Sequence, residues 1–480
     1  MSEHKNYIAG EWVGDDFKPN INPSDLSDTV GLYSRASEAE VERAIQAAAT
    51  AQPAWGALTV AERSEFLYRV GSIILGRAVE LGELLAREEG KTRAEGIGEA
   101  TRAGQTFRYY AGQILQPSGQ RFASTRPGIT VDVERRPVGV VGIITPWNFP
   151  IAIPAWKMAP ALAYGNAVVL KPADLVPGSA WMLASIIHDA GVPAGVFNLV
   201  MGSGRMIGAH LVASPNVDAV TFTGSTGVGM HIAAESLNHG AKRFQLEMGG
   251  KNPLVVLDDA DIDIAVASAL DGAFFSTGQR CTASSRLVVQ AGIHDEFVEK
   301  LTAATRDLVV GHAMDQATQI GPVVSQLQLD QDLEYLKIGQ EEGAELVTGG
   351  DPVSRDTEGY FLQPALFVGG RNDMRINQEE IFGPVACVIK VDDYEEGLAV
   401  ANDTRYGLSS GLITTSLAKS TDFRRRAQAG IININRPTAS TEFHVPFGGT
   451  KASSFGAREQ GPEAREFFTT VSTAYTAHGY

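Results

Sequence analysis

The chain has 480 residues, 44% of them hydrophobic and 20% charged, and a formal charge of −16. That length exceeds what one hydrophobic core serves and implies two or three domains, while the acidity argues against nucleic acid as a partner, because phosphate contacts need a basic footprint. No run reaches the roughly 18 uninterrupted apolar residues of a membrane span, no apolar stretch follows the charges near Met1 as a signal peptide requires, and two cysteines cannot build a disulfide framework, so a cytoplasmic protein off the membrane is expected.

The first hundred residues read as mostly helical. Ser37 with Glu40 and Thr59 with Glu62 have the capping-box pattern, and Val41, Ala44, Ile45 and Ala48 follow at helical spacing. From residue 138 the texture changes. Short apolar runs at 138–144, 167–170, 196–200, 219–222 and 244–246 alternate with helix-length stretches at 156–164, 179–190, 205–213 and 226–235. Strict alternation predicts a parallel sheet buried on both faces, a doubly wound dinucleotide-type unit of five strands. After Gly250 a second α/β unit begins, with strands expected at 254–257, 286–290 and 430–434 and a helix around 293–309. Two extended, Thr- and Val-rich segments fit neither unit: 117–136 and the tail 467–475.

Candidate chemistry centres on Cys281, in Phe274-Phe-Ser-Thr-Gly278-Gln279-Arg280-Cys281-Thr282. Most lone cysteines are small inert core residues, and Cys387, alternating within Val385–Ile389, reads as one. Cys281 instead sits in a loop beside Arg280, whose permanent charge is expected to favour the thiolate. Upstream lie Thr145-Pro146-Trp147-Asn148-Phe149-Pro150, Lys171-Pro-Ala-Asp174, Phe222-Thr-Gly224-Ser225-Thr-Gly227-Val-Gly229 and Glu247-Met-Gly249-Gly250-Lys251; downstream lie Glu379-Glu380-Ile-Phe382-Gly383-Pro384 and Pro446-Phe447-Gly448-Gly449. In that order and at those spacings the chain resembles the NAD(P)-dependent aldehyde dehydrogenases from end to end.

The resemblance implies a doubly wound parallel-sheet cofactor domain (1–117 and 138–249), an α/β catalytic domain (250–450) and a small β oligomerisation flap (118–137 and 451–480). It also implies an active site between the two domains and a homodimer or homotetramer. Oxidising an aldehyde to an acid requires hydride to leave a tetrahedral carbon, which a thiolate adduct permits. Cys281 matches the family's nucleophile. Glu247, otherwise a strand-end carboxylate, matches the base that activates the thiol and the hydrolytic water; branches that pass the acyl group to coenzyme A generally lack it. Glu459 matches a second family carboxylate, with a surface charge as its plain reading. Asn148, otherwise a turn residue, matches the side-chain donor to the oxyanion, with the Cys281 N–H as its partner.

For the cofactor, NAD with NADP tolerated, Gly224 to Gly229 follows a strand and opens a helix, where a pyrophosphate meets N–H groups. Its spacing misses the Rossmann pattern, as does the rival cluster of Gly202, Gly204 and Gly208. The resemblance assigns the main phosphate contact to Ser225, the adenine neighbourhood to Gly204 and Gly208, and the two riboses to Lys171 and Glu380. It places Ile144, Thr145, Pro146, Trp147, Phe222, Gly229, Gly249 and Phe382 in or beside the cofactor cleft, with Glu247 at its end. Asp174 stands where many NAD-preferring relatives carry a glutamate. Phe149, Ile153, Trp156 and Phe447 are expected around the aldehyde, with Arg280 and Thr282 beside the nucleophile and Arg436 recognising an anionic end. Either arginine could instead pair with an acid such as Glu442 or point to solvent. No metal is expected. The motifs around Cys281 and His444 look most like the branch that oxidises 2-oxoglutarate semialdehyde (2,5-dioxopentanoate), with succinate semialdehyde and three-carbon aldehydes, sulfonated ones included, as alternatives. A hydrolase reading rests on Gly407-Leu-Ser409-Ser-Gly411, but that elbow needs a strand before it and a helix after it, and the residues here suggest the reverse. A thiol esterase would leave the dinucleotide unit without a purpose, and a silent cofactor binder would not carry every reacting residue.

Overall fold

The computed structural model describes residues 2–117, 119–240 and 242–478. The expected alternation appears as five parallel strands lying side by side, in the order Arg243–Glu247, Ala219–Thr223, Val140–Ile144, Ala167–Lys171, Phe197–Leu199. The four longest carry Val, Ile, Leu, Phe and Thr, and the inner three are buried along their whole length. Helices cover both faces, which is why no polar alternation marks these strands. The sheet is wider than five strands, however. An antiparallel hairpin, Asn6–Ile8 and Glu11–Val13, extends one edge, and Ser454–Phe455 pairs antiparallel with Arg243–Glu247 on the other, for eight strands in all.

The helical reading of the first hundred residues therefore needs correction before residue 38. That stretch holds five strands, including the long pair Phe17–Asn22 and Asp25–Ser34. Its first hairpin turns through Ala9 and Gly10, both at positive φ (55° and 85°), the geometry that matches strand twist. Alanine at the first turn position hides a signal that Asn or Asp would have announced. From Glu38 the chain is helical: Glu38–Ala57, Val60–Gly76, Ala78–Glu89 and Arg93–Gln113, with capping boxes at Ser37, Thr59 and Thr92.

A seven-stranded sheet forms the second unit, in the order Glu345–Thr348, Ala365–Val368, Val385–Val391, Arg286–Gln290, Pro253–Val256, Ser409–Ile413, Ile431–Ile434, all parallel but the first. Cys387 is 1% exposed in its middle. Ser409 lies within a strand, not on a strand-to-helix turn, so the hydrolase elbow has no structural counterpart.

Thr469–Ala477 pairs with Ile129–Pro137, which also pairs with Gln120–Ala123, in a three-stranded flap. The tail as a whole does not belong to that flap. Residues 454–455 enter the large sheet, and Phe467 and Phe468 are buried in the helical core beside it. Ser118, Gly479 and Tyr480, which fall within the expected oligomerisation segments, lie outside the described residues.

Candidate active site

The carboxyl ends of the parallel strands open onto the second unit, the edge where open α/β sheets bind ligands. The loop carrying the thiol follows the helix Ile262–Phe274. Ser276, Thr277 and Gly278 adopt left-handed backbone in succession (φ 51°, 57° and 65°), which for the two non-glycine residues costs on the order of 1–3 kcal/mol each. Several bonds hold the conformation. Glu95 accepts from the Ser276 N–H (2.7 Å) and hydroxyl (3.1 Å), Thr277 donates to the Gly321 carbonyl (3.2 Å), and Gln279 accepts from the Val324 N–H (3.0 Å). Residue 278 must be glycine, since a Cβ would strike the Gly383 carbonyl. The chain then turns and presents Cys281, part-buried and free.

Cys281 forms part of the wall of two cavities. One, of about 270 Å³, is lined by Phe149, Ile153, Trp156, Arg280, Thr282 and Phe447, six of the seven residues expected around an aldehyde. The seventh, Arg436, is exposed and lines neither cavity. Its place on the wall is taken by Arg102, from the helix Arg93–Gln113, together with Glu95 and Glu99 of that helix. The other cavity, of about 310 Å³, is lined by Pro146, Trp147, Asn148, Gly224, Ser225, Gly249, Glu380 and Phe382.

The remaining residues assigned to a cofactor lie outside that second cavity. Ile144, Thr145, Lys171 and Phe222 sit at the carboxyl ends of their strands, Gly204 and Gly208 in the helix Gly204–Ala213, and Gly229 in the helix Thr226–Asn238. Lys171 is 5% exposed and approaches Gly204, so that a Cβ there would stand 3.1 Å from its Nζ. Burial pulls the Lys171 pKa down to about 8, partly offset by Asp174. Asp174 is more open, its carboxylate 3.9 Å from the Lys18 ammonium. Ser225 caps its helix without committing its side chain to a capping bond. Gly249 is backed by the Glu380 carboxylate, which accepts from the Gly250 N–H (2.9 Å). Phe382 has φ +66° and meets Trp147 edge-on, ring centres 5.3 Å apart.

The electrostatics differ from the expectation for the thiol. Burial, then the carboxylates of Glu380 and Glu247, push the Cys281 pKa well up. The Arg280 guanidinium is directed elsewhere, 3.4 Å from Asp271 and 3.8 Å from Glu95. Burial and the two carboxylates both favour the neutral thiol over the thiolate. Glu247, 2% exposed at the end of its strand, has its own pKa raised well above the carboxylate range by burial and by Glu459. Its side chain accepts from the Ser454 hydroxyl and lines neither cavity. A Cβ at Gly448 would stand 2.7 Å from its Oε1. Glu459 is no surface charge. It is 2% exposed and ion-paired with the equally buried Lys157, which also donates to Thr221 (2.8 Å). Asn148, 3% exposed, donates one amide N–H to the Gln279 carbonyl (2.9 Å), leaving the second for another acceptor.

The aldehyde dehydrogenase family model matches residues 12–474. The chain belongs to the aldehyde dehydrogenase family. It is 45% identical to the alpha-ketoglutaric semialdehyde dehydrogenase of Bacillus subtilis (strain 168), over 99% of this chain and 98% of the relative. It is 41% identical to the alpha-ketoglutarate semialdehyde dehydrogenase of Haloferax volcanii, over 99% of each. Among solved structures, the betaine aldehyde dehydrogenase of Staphylococcus aureus in complex with NAD+ superposes with a TM-score of 0.96 at 32% identity, covering 99% of this chain and 95% of that one.

Several residues of this aldehyde dehydrogenase that shape the site carry no motif. Lys91, 1% exposed, donates to Glu99 (2.6 Å) and to the Asn148 carbonyl (2.7 Å) and lies 3.9 Å from the centre of the Phe149 ring. Glu99 in turn accepts the N–H groups of Ile151 and Ala152 (2.8 and 2.9 Å), at the start of the helix Ala152–Ala163. This buried pair fixes the Asn148–Phe149 loop from behind. Gln328 and Gln331, on the helix Gln326–Glu341, line the larger cavity and donate to the Ile381 carbonyl (3.1 and 2.7 Å), holding the loop between Glu380 and Phe382. The one available signal was spacing: Glu95, Gly98, Glu99 and Arg102 recur on one helical face, a pattern that normally marks a solvated stripe.

Proposed function

We propose that the protein oxidises a small anionic semialdehyde, 2,5-dioxopentanoate in the first place, to the acid with NAD as oxidant and water as acyl acceptor. The observation that carries this reading is the position of Cys281 in the shared wall of two cavities, one sized for a small aldehyde and one for the reacting end of a dinucleotide. Cofactor residues fit the group. The open N-terminus of Thr226–Asn238 suits a pyrophosphate, Gly249 leaves room where a side chain would collide with Glu380, and Lys171 and Glu380 suit the two riboses. NAD, when bound, accepts the hydride.

The chain's own groups do the rest. The Cys281 thiol passes its proton to water and adds its sulfur to the aldehyde carbon, forming a thiohemiacetal. The free amide N–H of Asn148 and the Cys281 N–H stabilise its oxyanion. Loss of hydride leaves a thioester, and Glu247 takes a proton from the water that hydrolyses it. Glu459, locked to Lys157, raises the proton affinity of Glu247 without meeting the substrate. Asn148→Ala is expected to slow hydride transfer by about 2.7–4 kcal/mol, read in a single-turnover burst; an unchanged burst would remove Asn148 from the oxyanion site.

The anionic substrate is supported by Arg102 on the smaller cavity, which has no carboxylate within ion-pair distance among the described residues, while Glu95 and Glu99 are already bonded. Arginine forks match carboxylates and stay charged at every relevant pH. The 2-oxo acid is supported by the B. subtilis and H. volcanii relatives. Asp174 can accept from a ribose 2′-OH and repel a 2′-phosphate, while Lys18 beside it softens the repulsion. A higher kcat/KM with NAD than with NADP is therefore expected, with NADP tolerated, and the opposite order would overturn this. Two free thiols suit a reducing compartment, the cytoplasm. Exposed flap residues Phe122, Val471 and Tyr475 suit contact with further copies of the chain, as a homodimer or homotetramer. Among the described residues no helix is long and apolar enough to cross a membrane.

The deciding experiment follows reduced-nicotinamide absorbance with NAD and three aldehydes of similar length, one anionic, one neutral and one cationic. Growth with the anionic aldehyde at the highest kcat/KM is expected. No growth with any of them would sink the dehydrogenase reading, and preference for the cationic aldehyde would sink the anionic one.

A further inference from the structure

The wall of the smaller cavity holds a second feature, away from the thiol. Three side chains that line it carry a buried N–H with no hydrogen-bond partner: Nε of Arg102, Nε of Arg280 and Nε1 of Trp156. The acidic residues of the same wall have no such deficit. Both Glu95 oxygens and both Glu99 oxygens accept bonds from Thr92, Ser276, Lys91, Ile151 and Ala152. Among the described residues, the buried side-chain atoms of this wall that lack a partner are thus all donors. An unsatisfied buried donor costs about 1–3 kcal/mol, and such groups call for a ligand or an ordered water.

Arg102 is placed for a ligand. Its Nη1 donates to the Thr441 hydroxyl (2.8 Å) and carbonyl (3.3 Å), and its Nη2 to the Gln460 side chain (3.4 Å). Those bonds fix the guanidinium against the loop that precedes Phe447 and leave the Nε edge free. Its centre lies 5.9 Å from the Trp156 ring, which in turn packs against Phe447 at 5.4 Å. No carboxylate forms an ion pair with Arg102 among the described residues, whereas Arg280 has two nearby acids, Asp271 and Glu95. Glu99 and Glu442 act on Arg102 only from beyond ion-pair distance, so of the two arginines of the cavity it is the one without a direct carboxylate partner.

We infer that Arg102, with the unpartnered indole N–H of Trp156 on the same wall, binds the carboxylate at the end of the substrate remote from the aldehyde, and so sets the preference for anionic over neutral and cationic aldehydes. This rests on the assignment of the cavity around Cys281 to the aldehyde. The unpartnered donors suit carboxylate or keto oxygens, which a quaternary ammonium cannot supply. Nε is enclosed, so it reaches the ligand by a turn of the guanidinium that exchanges the 3.4 Å bond to Gln460 for the carboxylate and keeps the Thr441 bond as a pivot.

The test compares glutarate semialdehyde with pentanal, equal in chain length, in the wild type and in Arg102→Met, Arg102→Lys and Trp156→Phe, with NAD saturating. In Arg102→Met the ratio of kcat/KM for the anionic over the neutral aldehyde is expected to fall about tenfold to a hundredfold, through KM for the anionic aldehyde. Lysine is expected to restore part of the ratio, because it returns the charge without the fork. Trp156→Phe, which deletes the indole N–H and keeps a ring, is expected to lower the ratio severalfold and serves as the deciding variant if Arg102→Met fails to fold. An unchanged ratio in Trp156→Phe and in whichever Arg102 variants fold would overturn the assignment while leaving a wild-type anionic preference, and the oxidation itself, intact. A wild type with no such preference would overturn both the anionic reading and this one.

Discussion

Replacing Cys281 with alanine is expected to remove aldehyde oxidation altogether, a loss of about four orders of magnitude or more in kcat, while binding of the dinucleotide stays nearly intact. The structure separates the two effects. Cys281 is the point where the cavities meet, but the larger one is built from the loop at Pro146–Asn148, the helix start at Ser225 and the loop at Glu380–Phe382, none of which leans on the sulfur. Removing one atom from a shared wall deletes the bond-forming group and leaves the binding surface. Equilibrium binding of NAD, followed by quenching of protein fluorescence, and steady-state turnover should therefore part company in this variant. Retention of even about a tenth of wild-type turnover would mean that another group attacks the aldehyde. Cys387→Ala serves as the control. That thiol lies 1% exposed inside the seven-stranded sheet, and its loss is expected to lower stability while leaving the chemistry in place.

Glu247→Gln is expected to stop the reaction half-way. Thiohemiacetal formation and hydride loss can proceed, but the thioester then waits for a base, so acyl-enzyme should accumulate and be visible in the intact-protein mass after mixing with aldehyde and NAD. Loss of a general base lowers the steady-state rate by about 10²–10⁴-fold. The wild-type pH profile should carry the same signature. Burial and Glu459 raise the Glu247 pKa well above the carboxylate range, so at low pH the group is protonated and cannot accept from water. Deacylation should rise with pH through an ionisation displaced upward from an ordinary glutamate, and that limb should vanish in the Gln variant. A normal steady-state rate in Glu247→Gln, with no adduct, would assign the base to some other residue.

The repeating part of the architecture was legible because it is written in composition. Strands buried on both faces must be continuously apolar, and the stretches between them are long enough only for helices. What escaped was structure made by distant partners. Ser454–Phe455 is two residues long, polar at one end, and becomes a strand only because Arg243–Glu247 presents an open edge to it. The N-terminal hairpin hides behind a turn that uses Ala9 where asparagine would have declared it. The site shows the same division. Some motif residues line the two cavities and others, Lys171 and Glu247 among them, do not, and the charge around the thiol is not given by its neighbour in sequence. Arg280 turns to Asp271 and Glu95, while carboxylates from positions 380 and 247 arrive across the cleft. Arg102 and Lys91 were invisible for a related reason. A charge on a helix reads as solvated until another element is known to cover it, and here the loop of Asn148 and Phe149 and the approach to Phe447 do so.

The late strand also bears on how the protein is made. Glu247 is held by the Ser454 hydroxyl, and the edge of its sheet is closed by Ser454–Phe455. Residue 454 is made 207 residues after residue 247 (454 − 247), so a nascent chain that stops short of it lacks the bond that holds the Glu247 carboxylate, however well its earlier helices have formed. Contacts spanning this much sequence delay closure of the sheet and make it a late event in folding. Until then the strand that ends at Glu247 has an unpaired edge. On the role proposed for Glu247, a chain interrupted before residue 454 is expected to turn over poorly, since the sheet that carries this residue is bounded by Glu11–Val13 on one margin and Ser454–Phe455 on the other.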